Sequence, residues 1–400
     1  MFQVILFTLV GVAVGILTGL IPGLHVNTVC AILLGFALTG KLSAAPLNLS
    51  IFIFSLAITH TFLDFIPSIL LGVPSEDTLL ALLPGHRMVL DGRGPEAIKL
   101  TLIGSIGCLV LSLLLFPFFL FGLSSLYSSI EPFMALILLG ASGFLILIER
   151  GKQKLWSLFI FLLSGALGLI VLRSSLFQNP LLPLLTGLFG LSLLLMTLQN
   201  RVKVPPQDVG RLAMKRKMLA KGLLSGTFSG ALVGFLPGFG PSQAAVLSRV
   251  FTKQRNPREF LITLGGINTA NSFFALVALL TIGKKRSGAV ATISELMKVD
   301  LETTVLLLSA GLLAGVLSLF VGSHLADALP KYLYRINYQK LNIGIIAFII
   351  LMTAYMSGML GLLILAVSAS IGLTAHYSST HKMHLMGVLI IPTSLWFLGL

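Results

Sequence analysis

Long apolar runs, separated by short polar segments, make up most of the chain. A helix needs roughly 20 apolar residues to cross the hydrocarbon core of a bilayer, and these runs lack the alternation of barrel strands. We therefore predict an all-α polytopic protein of the cell (cytoplasmic) membrane. Five spans are predicted in each half, at 48–72, 97–121, 131–149, 155–173, 179–198, 260–283, 303–329, 341–357, 358–376 and 384–400.

One further segment precedes each set of five spans and is interrupted by a Pro-Gly pair. The segments are 3–39 and 222–249, and GLIPGLHVNT in the first aligns with GFLPGFGPSQ in the second. Small residues spaced four apart are common where membrane helices pack, but this does not account for a Pro-Gly pair at the same place in both. We interpret the match as an internal repeat. The aligned pairs are Gly11 with Gly226, Gly15 with Gly230, Gly19 with Gly234, Pro22 with Pro237 and Gly23 with Gly238.

Basic residues flank both ends of the second Pro-Gly segment, which places both ends in the cytoplasm. Its arms, 222–235 and 241–250, are each too short to span a bilayer, so a re-entrant helical hairpin is predicted. The first segment has longer arms, which leaves a spanning helix open there. A hairpin plus about five spans reverses the orientation of the second half and so gives two inverted repeats. We place them at 1–200 and 222–400, joined by a basic cytoplasmic linker at 201–221.

The net charge of +14 raises the question of nucleic acid as a partner. Most Lys and Arg residues lie in short loops between apolar runs, which is the positive-inside pattern of membrane proteins, so no nucleic acid is expected. Lys284, Lys285 and Arg286 are the exception, because the predicted topology puts them outside, where an anion would explain them. Cys30 and Cys108 lie in apolar runs and form neither a disulfide framework nor a metal-ligand pattern. No metal or cofactor is predicted.

The residues at the two breaks are predicted to bind an anionic substrate. The second arm of each hairpin begins directly after the break, where unpaired N–H groups and the positive end of the helix dipole attract negative charge. Helix capping is the alternative role for the polar side chains. The predicted substrate-binding residues at the breaks are Pro22, Gly23, His25, Asn27, Thr28, Pro237, Gly238, Gly240, Ser242 and Gln243.

Two polar islands lie in the apolar runs that follow the hairpins. His60 and Asp64, in ITHTFLDF, are predicted to carry the coupling ion, H⁺ or Na⁺, because a carboxylate within a span is costly and points to function. An internal pair between these two side chains, four residues apart on one helix face, is the alternative. Asn268, Asn271 and Ser272, in GGINTANSFF, are predicted to contact the substrate.

The segment PSILLGVPSEDTLLALLPGHRMVLDGRGPEAIKLTLIGSIG, with the Pro-Gly segments and NTANSFFALVALLTIG, resembles the TctA family, the large membrane subunit of tripartite tricarboxylate transporters. The resemblance covers nearly the whole chain in order. It implies a secondary transporter with inverted repeats that binds a carboxylate and couples its uptake to an ion gradient. The chain is shorter than the bacterial members, and it has VPSE at 73–76 for the family's IPGE and IGKK at 282–285 for its IPGS.

We predict a secondary active transporter of a small, carboxylate-type organic anion, held between the two hairpin tips near the membrane midplane. A polyprenyl or other lipid phosphate translocase is the alternative, because the same basic residues and helix N-termini suit a phosphate. The chain contains no H-E-x-x-H or G-x-S-x-G motif, and no enzyme is predicted. The expected partners are membrane lipids, the anion and H⁺ or Na⁺. The candidate protein partners are a second copy in a homodimer, a small membrane subunit and an extracytoplasmic binding protein.

Overall fold

A computed structural model describes residues 2–21, 24, 26–38, 44–71, 78–177, 180–198, 205–208, 212, 214–254, 256–330 and 338–400. All regular elements within these ranges are helical. The first half contains α1 (Phe2–Leu20), α2 (Val26–Leu38), α3 (Pro46–Leu63), α4 (Phe65–Leu71), α5 (Arg87–Leu90), α6 (Gly94–Ile130), α7 (Met134–Ile148), α8 (Gln153–Leu172), α9 (Leu181–Leu185) and α10 (Ser192–Thr197). The second half contains α11 (Arg216–Phe235), α12 (Pro241–Phe251), α13 (Pro257–Ile282), α14 (Gly288–Leu296), α15 (Leu301–Ala328), α16 (Tyr338–Tyr377) and α17 (Gly387–Phe397).

Short 3₁₀ or π-helical segments connect several of these helices. The 3₁₀ turns are Leu79–Ala81, Glu131–Phe133 and Lys382–Met386, and the π-helical turns are Leu82–His86 and Thr186–Leu191. Within the described residues, eight helical stretches are long and apolar enough to cross a membrane. The chain is therefore a multi-pass membrane protein.

The structure changes two of the predicted spans and confirms one predicted division. The helix predicted to end at residue 121 continues to Ile130, and its regular part ends just before Glu131-Pro132, because proline disfavours helix at the residue before it. The span predicted at 179–198 is a continuous helical stretch in which a π-helical turn, Thr186–Leu191, separates α9 from α10. The predicted division between 357 and 358 is confirmed, since Gly358 interrupts α16 with φ +64°, a conformation that favours glycine.

The first arm of the second hairpin is longer than predicted. Helix α11 begins at Arg216, inside the predicted linker, and has 20 residues, which makes it about 30 Å long. Lys and Arg are good helix formers, so the basic residues at 215–221 extend the apolar arm instead of ending it. The prediction that this arm is too short to span a bilayer was therefore wrong, because α11 has the roughly 20 residues that a span needs.

Helix α1 packs in parallel along α3. Asn48 Nδ2 donates to Gln3 Oε1 (3.3 Å) where both helices begin, and His60 Nδ1 lies 3.1 Å from Thr18 Oγ1 where both end. Two helices that run side by side in the same direction need a return between them. The chain between α1 and α3, which includes α2, therefore comes back toward the end where α1 starts.

Helices α11 and α13 repeat this arrangement. Lys221 pairs with Glu259 where both begin (3.0 Å), and Gly234 faces Phe274 toward their other ends. Helix α12 lies between them in the sequence and corresponds to α2 in the first half. Both hairpins are thus followed by a helix that is parallel to their first arm.

The aligned glycines allow these parallel helices to approach closely. A Cβ added to Gly15 would lie 2.6 Å from Thr59 Cβ, and one added to Gly230 would lie 2.5 Å from Ala270 Cβ. Both distances are shorter than two carbon atoms tolerate. Small residues give membrane helices this backbone-to-backbone contact in place of a hydrophobic driving force.

The two halves interlock through their long helices. Helix α6 packs in parallel along α13, with Arg258 paired to Glu96 (2.7 Å) where both begin and Arg286 donating to Tyr127 Oη (2.9 Å) beyond the end of α13. In the reciprocal contact, α15 of the second half packs along α3 of the first, where Ser318 Oγ lies 3.0 Å from Thr59 Oγ1. Each half therefore holds a long helix of the other.

The direction of α15 shows how the halves are oriented. It runs parallel to α3, because Ser318 contacts Thr59 and the later Gly322 faces Leu63. It runs antiparallel to α6, because Asp327 at the end of α15 pairs with Lys99 near the start of α6 (2.6 Å). Since α6 is parallel to α13, α3 and α13 run in opposite directions.

We expect Gly230→Ala to lower the thermal unfolding temperature of the purified protein. The added methyl group would meet Ala270 Cβ at 2.5 Å and Ile267 O at 2.9 Å, and overpacking of this kind typically costs about 1–3 kcal/mol. Gly140→Ala is the matched control, because no atom lies within 4 Å of the position its Cβ would take. Equal unfolding temperatures for the two variants would contradict close α11–α13 packing.

Candidate functional site

A cavity of about 780 Å³ lies where the two hairpins meet α3 and α13. Its wall also includes the start of α14, residues from α9 to α10, and α16. This volume falls within the range of small-molecule sites, roughly 300–1,000 Å³. Both predicted hairpins and both polar islands thus contribute to one cavity.

Described residues at the end of α1 and at the start of α2 line the cavity. Thr18, Leu24 and Asn27 belong to the wall, and the Asn27 side chain is exposed. Asn27 is therefore one predicted binding residue that reaches the cavity. Outside the described residues lie Pro22, Gly23 and His25, and the side chain of Thr28.

The second hairpin lines the cavity with its turn. Pro237, Gly238 and Gly240 all belong to the wall, and Gly238 has φ +69°, in the left-handed region where glycine is favoured. Ser242 and Gln243 are buried and are not among the residues of the wall. Gln243 Oε1 accepts the Gly240 N–H (2.8 Å), so this side chain caps the turn from behind.

Aromatic packing fixes the position of this turn. Phe235 is the last residue of α11, and its ring centroid lies 5.4 Å from those of Phe119 on α6 and Phe274 on α13. Aromatic pairs at this spacing stabilise a defined arrangement beyond the area they bury. The turn therefore leaves a helix end that is held on two sides.

The two polar islands meet across the antiparallel α3 and α13. Asn268 Nδ2 donates to Asp64 Oδ2 (2.8 Å), and the hydroxyls of Thr61 and Thr269 are 3.0 Å apart. Asp64 is only 4% exposed, yet it belongs to the cavity wall together with Thr61 and Asn268. A buried carboxylate beside hydroxyl and amide groups can hold a proton or contribute to a cation site.

The remaining island residues also face the cavity. His60 lines it and lies 3.1 Å from the hydroxyl of Thr18 on the first hairpin. Asn271 and Ser272 line it as well and are half-buried. His60 and Asp64 each have a partner on another helix, Thr18 for His60 and Asn268 for Asp64.

A basic segment borders the cavity between α13 and α14. Lys285, Arg286, Ser287 and Gly288 all belong to the wall. Ser287 caps α14 by accepting the Val290 N–H (3.3 Å), so the positive end of this helix opens toward the cavity. Glu96 and Arg258 pair where α6 and α13 begin, whereas the basic segment follows the other end of α13. This agrees with the prediction that the segment lies on the side away from the cytoplasmic basic loops.

Sequence reasoning missed the apolar wall. The helical stretch from α9 to α10 contains a π-helical turn, a feature that often marks functional sites. The prolines and glycines in NPLLPLLTGLFG were the available signal for it. The residues of this wall include Leu182, Leu185, Phe189, Leu194, Ile345, Ile349 and Met356.

Comparison with known proteins identifies the family. The model of the tripartite tricarboxylate transporter TctA family matches residues 5–387, so the chain belongs to this family. An uncharacterized protein from Methanocaldococcus jannaschii is 30% identical over 403 aligned positions, which cover 98% of this chain and 99% of that protein. No solved structure matches the chain. The predicted family resemblance is confirmed, and the family is one of transporters.

We expect Gly238→Ala to weaken anion binding as well as stability. A left-handed φ costs a residue with a Cβ about 1–2 kcal/mol, and relief of that strain would reshape the cavity wall. Gly151→Ala is the control, because Gly151 has a similar φ of +55° with no atom within 4 Å of the added Cβ and lies outside the cavity wall.

The thermal unfolding temperature should fall by a similar amount in both variants. Only Gly238→Ala should bind labelled citrate or phenylacetate more weakly in equilibrium dialysis. Unchanged binding by a destabilised Gly238→Ala protein would remove this turn from the site.

Proposed function

We propose that this TctA family member is an ion-coupled secondary transporter that holds a small organic anion between its two hairpin tips. The observation that carries the proposal is that one cavity is lined by both hairpins and by Asp64, the one carboxylate among the described residues of its wall. Irregular backbone at membrane depth is tolerated where it is buried in protein or borders a watery cavity. The two breaks satisfy this condition together.

The two halves are proposed to be inverted repeats with re-entrant hairpins. The opposite directions of α3 and α13 support inversion, and the parallel packing of α1 on α3 and of α11 on α13 supports hairpins that return to the side they entered. In such transporters one repeat rocks against the other around a fixed central site. The α3–α13 contact that carries Asp64 would then lie at the axis of that motion.

Asp64 is proposed to bind the coupling ion, with His60 beside it. Its Oδ2 accepts a hydrogen bond from Asn268 Nδ2 (2.8 Å), and the side chain is buried. A carboxylate within a membrane span is costly, and a proton or Na⁺ bound at Asp64 offsets that cost. Loading the ion would thereby stabilise the closed cavity with its anion present.

Family membership also supports protein partners. The family takes its name from tripartite systems, and we propose that this chain is the large subunit and works with a small membrane subunit and an extracytoplasmic binding protein. A homodimer of the large subunit remains part of the proposal. We place the assembly in the cell membrane.

We predict that Asp64→Asn abolishes uptake driven by an ion gradient but preserves exchange of substrate across the membrane. Asparagine has nearly the shape of a protonated aspartate and cannot release a proton or bind Na⁺ strongly. The assay is accumulation of labelled citrate and of labelled phenylacetate in proteoliposomes under a H⁺ or Na⁺ gradient, followed by counterflow at equal ion concentrations.

Asp327→Asn is the matched control, because Asp327 pairs with Lys99 at a helix end and lies outside the cavity wall. It should accumulate substrate normally. Gradient-driven uptake by Asp64→Asn would exclude Asp64 from coupling. Movement of a labelled polyprenyl phosphate, with no uptake of either carboxylate, would instead establish the lipid phosphate alternative.

A further inference from the structure

The charged groups of the cavity limit the charge of its ligand. Among the described residues of the wall, Asp64, Lys285 and Arg286 carry charge. Lys285 already pairs with Glu295, which lies outside the wall. The neighbouring Lys284 pairs with Glu131 (3.0 Å) and does not line the cavity. Of the cations in the described part of the wall, Arg286 is the one left for a ligand.

The surroundings of Arg286 hold the guanidinium in place without neutralising it. Its Nη2 donates to the phenol oxygen of Tyr127 (2.9 Å), and its Cζ lies 5.5 Å from the centre of that ring. Tyr127 is 3% exposed and provides a hydrogen bond and a cation–π contact, but no charge. In the described part of the chain Arg286 has no carboxylate partner, and its buried Nε has no hydrogen-bond partner.

The rest of the wall suits an apolar body. Leu185 ends α9, Phe189 lies in the π-helical turn that follows it, and Ile345 and Ile349 belong to α16. A ligand pocket of this kind buries apolar surface and orients the ligand through a few polar groups. Arg286, Asn271 and Ser272 are polar groups of that kind on the same cavity.

Charge balance then separates anions by their valence. A buried charge without a partner costs several kcal/mol, and guanidinium binds one carboxylate through two parallel hydrogen bonds. With H⁺ or Na⁺ bound at Asp64, as in the proposed function, a monocarboxylate satisfies Arg286 and leaves no excess charge. A tricarboxylate would bring two further negative charges into a cavity that already contains Asp64.

We propose that the cavity selects singly charged organic anions with an apolar body, and that Arg286 is the residue that binds their carboxylate. The proposal rests on the transport function above and names its substrate class. Arg286 belongs to the segment IGKKRS at 282–287.

The test is thermal stabilisation and equilibrium binding of the purified protein with four probes: phenylacetate, its neutral amide, phenylsuccinate as a dianion, and citrate as a trianion. A ligand that binds the native state raises its unfolding temperature. Phenylacetate should bind most tightly, phenylsuccinate more weakly, and citrate and the amide least. Arg286→Gln should weaken phenylacetate binding roughly tenfold or more, the effect of losing a charge-assisted hydrogen bond.

Lys284→Gln is the control, since Lys284 is adjacent in sequence but points to Glu131 outside the cavity wall. It should bind phenylacetate as the unmodified protein does. Arg286→Lys keeps the charge but loses the paired hydrogen bonds of a guanidinium. Its affinity for phenylacetate should therefore lie between those of the unmodified protein and Arg286→Gln.

The ranking of probes in the unmodified protein decides the selectivity even if Arg286→Gln does not fold. Tightest binding by citrate would overturn the proposal and leave the transport function standing. Equal affinities for phenylacetate and its amide would overturn it too. If none of the carboxylates bound, both this proposal and the proposed function would fall.

Discussion

The need to satisfy backbone hydrogen bonds away from water governs this structure. A helix broken within a membrane leaves N–H and C=O groups without partners, and lipid offers none. The chain breaks two helices near Pro-Gly pairs. The described break is closed by Gln243 against the Gly240 N–H and by burial of the turn between α6, α13 and the cavity. The cavity borders this break, because Pro237, Gly238 and Gly240 belong to its wall.

Close helix packing provides the frame that holds those breaks. Gly15 and Gly230 bring the first arms against α3 and α13, and the exchange of α6 and α15 ties the halves together. These contacts bring the polar faces of α3 and α13 together, so that Asp64 meets Asn268 instead of lipid. A carboxylate at this depth is tolerable because a partner from the other half is already in place. Any relative motion of the halves must act on this contact, which is where the proposed coupling ion binds.

The sequence predicted the parts of this arrangement that depend on local chemistry. Apolar run length gave the helices, and the paired Pro-Gly segments gave the repeat whose glycines pack equivalently. A carboxylate within an apolar run singled out Asp64 as a candidate functional residue, and the structure buries it in the cavity wall. The continuation of α6 and the early start of α11 were missed because helix ends depend on weak propensities spread over several residues.

The partners of the site residues could not be predicted, because they join distant parts of the chain. Nothing near Asp64 in the sequence identifies Asn268, and nothing near Gln243 shows that it caps Gly240 instead of facing a substrate. The apolar wall from α9 to α16 likewise becomes a surface only when the second half folds against the first. Local patterns thus identified nine of the wall residues on α3, α13 and the two Pro-Gly segments, while the contacts of those residues depend on tertiary packing.

The most direct test of the central claim is protection of the cavity from a water-soluble maleimide. Ser272→Cys places a thiol on the wall of the cavity, and the two natural cysteines are buried. We expect the bound anion to slow labelling of Ser272→Cys in membranes and to leave labelling of Ser129→Cys, beyond the cavity wall, unchanged. Labelling of Ser272→Cys that does not respond to an anion the protein transports would show that the substrate binds elsewhere.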